Sequence, residues 1–417
     1  MKAIPACVAL ACAVLSVGGK PAAADDTTAA PAAAPTAAAP AAPASAAMTM
    51  PAMAGPLAAN PNPTSFDAGP FGKVYVTGVL SGIGQWQTNT VSGTAGNRST
   101  AADLSNGQVF IQKTDGLVQY FIQAGAYSLP ALGTPYLDAA HTTVDFFGPV
   151  PQAYIKLAPS GNFSVMAGKL PTLLGAEYTF SFENMNIERG LLWNQENAVN
   201  RGVQVNYTAG PVAFALSWND GFYSDNLSWI TGSATWTIGS ADTLAFAAGA
   251  NTQTTTVSTL ATPVFLNNEQ IYNLIYTHTS GPWTFNPYLQ YTYVPRTPAI
   301  GALNNAATYG AALLANYTFD PAAKLGGMSL AGFSLPFRLE YITATGSAGS
   351  GAPNVLYGPG SNAWSLTITP TYQYKIFFTR AEFSYVGASH TTAGDAFGPA
   401  GTNTSQARLL IESGFIF

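Results

Sequence analysis

Eight glutamates stand in this 417-residue chain, and half of them, Glu177, Glu183, Glu188 and Glu196, fall in the single stretch 170–201 together with Arg189 and Arg201. Six further charges recur at short, even spacings: Arg338 with Glu340, Arg380 with Glu382, and Arg408 with Glu412. Carboxylates and guanidiniums so grouped can serve catalysis or shape the field of an aqueous passage. Hydrolytic chemistry would need a nucleophilic Ser, a His and a group to orient it. The chain has three histidines. His141 and His390 read as loop residues. His278 shares parity with Tyr272, Leu274 and Tyr276, which puts it at the rim of an apolar face with Ser280 near. No P-loop, HExxH or GxSxG motif is present. No enzyme, cofactor or metal site is expected, and the passage is the stronger reading.

Composition agrees. Charged residues are 8% of the chain, against about 25% in an ordinary soluble domain. Hydrophobic residues are 47% and aromatics 12%, so the bulk is not disordered. A formal charge of −5 argues against nucleic acid as a partner. No run approaches the roughly 20 apolar residues of a membrane helix. Little charge, many aromatics and no long apolar run together describe a transmembrane β-barrel, whose lipid-facing and lumen-facing residues alternate.

The first 24 residues read as a secretory leader: Lys2, an uncharged stretch from Ala3 to Gly19, then Ala22-Ala23-Ala24. Both cysteines, Cys7 and Cys12, leave with it, so the mature chain holds neither a disulfide nor a cysteine–metal site. Residues 25–65 are rich in Ala and Pro and show no periodicity, which predicts a semi-extended periplasmic tether.

From residue 66 to 417 the pattern is that of a barrel with period two. Trp283, Phe285, Leu289, Tyr291 and Tyr293 alternate with Thr284, Asn286, Gln290 and Thr292. Sixteen such segments are expected, at 73–87, 107–113, 117–127, 152–158, 162–169, 202–208, 212–219, 228–237, 242–250, 270–279, 283–294, 307–319, 333–344, 363–372, 376–386 and 407–417. Connections alternate between short turns such as Thr114-Asp115-Gly116 and long loops such as 128–151 and 170–201. Only 320–332, long on the short side, and 220–227, short on the long side, depart from this. Sorting by parity is what an even-stranded outer-membrane barrel requires.

Parity then places the charges. Arg338 and Glu340 oppose Leu339 and Tyr341; Arg380 and Glu382 oppose Ala381 and Phe383; Arg408 and Glu412 oppose Leu409 and Ile411. Lys156 opposes Ile155 and Leu157. On the lipid face an Arg or Lys would cost about 2–4 kcal/mol at mid-membrane, so this set is assigned to the lumen wall. The three wall arginines are expected to be balanced one for one by Glu340, Glu382 and Glu412. Loop 170–201 carries four Glu against two Arg and is rich in aromatics that need a surface to pack on. It is expected to fold into the lumen, narrow the pore and make it mildly cation-selective. The last strand, with Phe415 and Phe417 on one parity, reads as an outer-membrane assembly signal.

The stretch Ala167-Gly168-Lys169-Leu170-Pro171-Thr172-Leu173-Leu174-Gly175-Ala176-Glu177, continued by Asn184-Met185-Asn186-Ile187-Glu188-Arg189-Gly190-Leu191-Leu192, resembles the OmpL-like β-barrel porins of proteobacteria and acidobacteria. So does Thr367-Ile368-Thr369-Pro370-Thr371-Tyr372 with Arg380-Ala381-Glu382. The resemblance implies an outer-membrane porin and carries over no solute. The reading is therefore passive diffusion of small hydrophilic solutes across the outer membrane of a Gram-negative-type bacterium. A solute-specific channel, with Tyr178 and Trp193 as a sugar slide, and an adhesin or structural anchor are the alternatives. Expected partners are outer-membrane lipid and lipopolysaccharide, the barrel-assembly machinery and small solutes; a homotrimer and a monomer both stay open.

Overall fold

The computed structural model describes residues 52–91 and 93–417. The expected leader and most of the tether lie outside the described residues. Sixteen strands build the wall. The first eight are β1 Lys73–Gln87, β2 Thr100–Lys113, β3 Val118–Tyr127, β4 Gln152–Ser160, β5 Phe163–Pro171, β6 Val199–Ala209, β7 Val212–Asn219 and β8 Trp229–Ile238. They continue with β9 Asp242–Asn251, β10 Gln270–Ser280, β11 Trp283–Val294, β12 Ala306–Thr318, β13 Phe333–Ala344, β14 Asn362–Ile368 with Thr371–Tyr374, β15 Phe377–Ser389 and β16 Ser405–Ile416. Each pairs antiparallel with the next, and β16 returns to β1, with Phe415 opposite Leu80 and Arg408 opposite Gln87. The closed barrel leaves no open sheet edge, which a wall in lipid cannot tolerate.

The alternation produces an inside-out wall. On β13, Leu335, Leu339 and Tyr341 are exposed on the outer face, while Arg338 and Glu340 are buried inside. The sixteen expected segments and the sixteen strands coincide, with two instructive differences. Strand β2 begins seven residues before 107 because a bulge inverts its parity. Ser81 pairs with Asn106 and Gly82 with Leu104, so Ser105 is the extra residue and blurs the alternation there. Strand β14 is interrupted after Ile368, where Pro370 has no N–H to give the ladder. The long connection on the short side, 320–332, holds a small hairpin of Lys324–Leu325 with Met328–Ser329.

The chain before β1 differs from a free tether. Thr64–Asp67 pairs antiparallel with the start of β1, Thr64 opposite Val76 and Asp67 opposite Lys73. Upstream of it, Leu57 is 3% exposed within the barrel's interior cluster.

The C-terminus is locked into the closing seam. The Phe417 N–H donates to the Gly78 carbonyl at 2.9 Å, and the Gly78 N–H donates to the Phe417 carbonyl at 2.8 Å. The Phe417 ring lies across Gly78, where a Cβ would stand 2.6 Å from it, so only glycine admits the ring. Phe415 and Phe417 both face outward, and the Phe415 ring lies 5.7 Å from Phe377, tilted at 59° to it. Replacing both phenylalanines by Ala should lower the fraction of chain that becomes a heat-modifiable barrel and leave the conductance of inserted molecules unchanged. Gel shift and single-channel recording read the two separately; wild-type insertion levels would contradict an assembly role for this strand.

Candidate functional site

The longest connection, 172–198 between β5 and β6, turns into the barrel. Two 3-10 turns, Ser181–Glu183 and Trp193–Gln195, fold it back on itself. Its aromatics pack on the wall as the composition required: Phe180 meets Tyr127 edge-on at 5.1 Å, and Phe182 meets Phe110 at 5.8 Å. A loop that enters a confined space must find partners for its backbone groups, because water no longer reaches them all. Here the wall charges supply those partners.

Glu340 on β13 accepts the Leu191 and Leu192 N–H groups at 3.0 and 3.2 Å, and the Ser365 hydroxyl at 2.6 Å. Glu382 on β15 accepts the Ile187 and Glu188 N–H groups at 2.5 and 3.1 Å. Arginines take the carbonyls. Arg338 donates to Glu188 O at 2.7 Å, and Arg380 to Asn184 O and Ser181 O at 3.1 and 3.0 Å. Loop carboxylates return the favour: Glu177 pairs with Arg338 at 2.6 Å and Glu188 with Arg408 at 2.5 Å. Gly190 sits between them. A Cβ there would stand 2.1 Å from Glu340 Oε1 and 2.7 Å from Glu177 Oε2, so the close approach requires glycine.

The wall's three arginines and three glutamates balance in number, but they do not pair off strand by strand. Arg380 pairs with Glu412, not Glu382, and Arg408 pairs with Glu188 on the loop. Cross-strand register decides: Arg380 lies directly opposite Glu412 on β16, whereas Glu382 faces Leu410. Arg338 does stay near Glu340, at 3.3 Å, but shares itself with Glu177.

The remaining residues divide. Glu183 accepts the Phe180 N–H at 3.0 Å, and Glu196 accepts the Tyr288 hydroxyl at 2.5 Å. Burial pushes both loop carboxyls up to about 8, and it pushes Glu177 upward too, against the pull of Arg338. Arg189 is fully buried with its guanidinium 5.1 Å over the Trp193 ring and none of its side-chain nitrogens hydrogen-bonded; burial lowers it to about 10. Arg201 is corrected in position. It belongs to β6, where Asp220 and Asp225 hold it at 2.8 and 3.0 Å and its guanidinium lies 4.0 Å over Tyr223, so it serves the 220–228 connection and not the long loop. Lys156 lines a cavity of about 400 Å³ on the β2–β6 wall with Gln119, Tyr154, Ser164 and Asn206. Sequence reasoning missed Glu269, fully buried, and Tyr288, which binds Glu196. The signal for Tyr288 was present: it is an aromatic on the polar parity of 283–294.

A closed sixteen-stranded barrel with an apolar belt, a polar interior and a loop narrowing the lumen is an outer-membrane porin channel. The family model described as "Putative beta-barrel porin-2, OmpL-like" matches residues 73–417, and the chain belongs to that family. Solved structures share the fold at low identity. An anion-selective porin from Comamonas acidovorans is 10% identical with a TM-score of 0.55, over 82% of this chain and 99% of that one. OmpT of Vibrio cholerae in its trimer form is 11% identical with a TM-score of 0.51, over 82% and 99%. Salmonella typhi OmpF in complex with daunomycin is 12% identical with a TM-score of 0.51, over 84% and 100%. No curated protein matches the chain.

Glu340→Ala should strip two loop amides of their acceptor and leave Arg338 short of a partner. Breaking a buried charged contact in this way costs about 3–5 kcal/mol, so the loop should loosen. Limited proteolysis inside 185–193 should become fast and channel current noisy, while the barrel stays heat-modifiable. Unchanged proteolysis and a quiet current would show that Glu340 does not hold the loop.

Proposed function

We propose that this porin passes small hydrophilic solutes by passive diffusion through a narrow lumen with a mild preference for cations. The observation that carries the reading is the acid excess of the interior. All eight glutamates of the chain are buried there, against the buried arginines Arg189, Arg338, Arg380 and Arg408 and the wall lysine Lys156, and the excess is full only once Glu183 and Glu196, raised to about 8 by burial, are ionised. Fixed charge behind a low-dielectric wall acts on permeating ions even where the carboxylates do not touch them. The solute-specific alternative drew on Tyr178 and Trp193, but the Trp193 ring is taken by Arg189. No catalytic step is proposed. A homotrimer and a monomer both fit this reading, and the mass of the protein in detergent distinguishes them.

Planar-bilayer recording in a salt gradient tests this directly: the protein should give discrete channels with a reversal potential on the cation side. Insertion without channels would end the diffusion-pore reading. The preference should depend on pH, with the sign fixed by the two raised carboxyls. Glu183 faces Arg189 and Tyr178; Glu196 faces Tyr288, Glu177, Glu340 and Glu269. Both are held at about 8, so they are mostly protonated at pH 6 and mostly ionised at pH 9. Cation preference should therefore grow as pH rises through 8. It should fade at 1 M salt, where the Debye length is about 3 Å. Glu183→Gln with Glu196→Gln should flatten the pH dependence; a wild-type profile in that variant would remove these carboxyls from the account.

A further inference from the structure

The segment just upstream of the barrel enters the lumen from below. The Ala54 N–H donates to the Glu183 carbonyl at 2.8 Å, which ties the segment to the tip of the inward-folded loop. Four residues later Ala58 is held at the opposite end: its N–H donates to Gln373 Oε1 at 2.8 Å, and Gln373 Nε2 donates to its carbonyl at 2.9 Å. Gln373 stands beside the short turn between β14 and β15, on the side of the barrel where the short turns gather. An extended chain rises at most about 3.6 Å per residue, so residues 54–58 reach from the loop to this rim and no farther. Between the two anchors Leu57 is 3% exposed, in one apolar cluster with Val79, Phe110, Phe378 and Ile416. Met53 packs against the same cluster.

This contact differs in kind from the one that holds loop 172–198. The loop is fixed by ion pairs and carboxylate–amide bonds. The N-terminal segment reads Met53-Ala54-Gly55-Pro56-Leu57-Ala58, carries no charge, and relies on the apolar contacts of Leu57 and Met53 and three neutral hydrogen bonds. The open cavity lined by Lys156 and Tyr154 is on the β2–β6 wall, whereas the segment's hydrogen-bonding anchor Gln373 is on β14 and its apolar cluster runs from Phe378 and Ile416 on β15 and β16, through Val79 and Phe110 on β1 and β2, to Phe121 and Tyr154 at the edge of that cavity.

We propose that residues 53–58 are a displaceable plug that closes the β14–β16 side of the periplasmic mouth and leaves the β2–β6 side as the resting path. The proposal rests on the porin reading. The plug is docked by Leu57 and Gln373, and its release widens the pore without moving the clamped loop.

The test compares single-channel conductance of the full chain with two variants. One lacks residues 27–60 and keeps the leader and its cleavage site. The other is the full-length double substitution Leu57→Ala with Gln373→Ala. The deletion should raise conductance by about twofold, because it removes an extended chain about 5 Å across from the mouth. The double variant should flicker between the wild-type and the deletion level. Wild-type conductance in an inserted deletion variant overturns the plug. If the deletion does not insert, the double variant decides: raised or flickering current supports the plug, and steady wild-type current makes the segment a structural part of the barrel. A silent wild type with a conducting deletion variant overturns the resting path on the β2–β6 side, because the segment then closes the whole mouth. Silence in all three, with insertion verified, sinks the porin reading itself.

Discussion

Everything inside this barrel follows from one exchange: charged side chains of the wall hydrogen-bond the backbone of the loop that would otherwise lie unsolvated among them. Neither partner is tolerable alone. An arginine or glutamate on β13, β15 or β16 is excluded from lipid and, once the loop covers it, from bulk water as well. A loop that turns inward surrenders the water that would serve its amides and carbonyls. Glu340 and Glu382 take amides, Arg338 and Arg380 take carbonyls, and the loop's own Glu177 and Glu188 neutralise Arg338 and Arg408. The resulting network spans three wall strands and the length of the loop, so the narrowing of the lumen is built from the same bonds that stabilise it.

The interior is consequently fuller than strand number alone dictates. Sixteen strands enclose an aqueous channel unless something enters it. Here polar wall residues far from one another, among them Gln108, Gln123, Gln204, Asn273 and Gln290, are all buried. The loop enters from the long-loop end, and the N-terminal segment meets it from the other. The lipid face, by contrast, is an ordinary apolar belt with aromatic pairs such as Tyr291 with Tyr309 and Trp364 with Tyr385. The division of labour is plain: the outer parity of each strand meets lipid, and the inner parity lines the lumen and holds the loop.

Period-two alternation makes the wall legible from residues alone, since a strand between lipid and lumen must alternate. It also assigns Arg338, Glu340, Arg380, Glu382, Arg408 and Glu412 to the interior, and loop length with glutamate content singles out 170–201. What the residues do not announce is partner choice. Backbone donors have no sequence signature, so the capture of Leu191 and Ile187 amides by wall glutamates is invisible until the fold is drawn. Pairing across strands is equally hidden: Arg380 meets Glu412 rather than Glu382 because register places it there. Arg201 escapes the loop because Asp220, beyond the next hairpin, claims it. Leu57 is obscured by its surroundings, a single leucine in an Ala/Pro-rich run whose composition speaks of a tether.

The central claim is that the backbone between Ile187 and Leu192 is bonded to the wall. Amide hydrogen exchange, followed by mass spectrometry on the detergent-solubilised barrel, reads those amides directly. The account predicts that a peptide spanning 186–193 exchanges as slowly as the strands β13 and β15 that hold it. Exchange on the timescale of the exposed stretch 345–349 would contradict it and return the long loop to solvent.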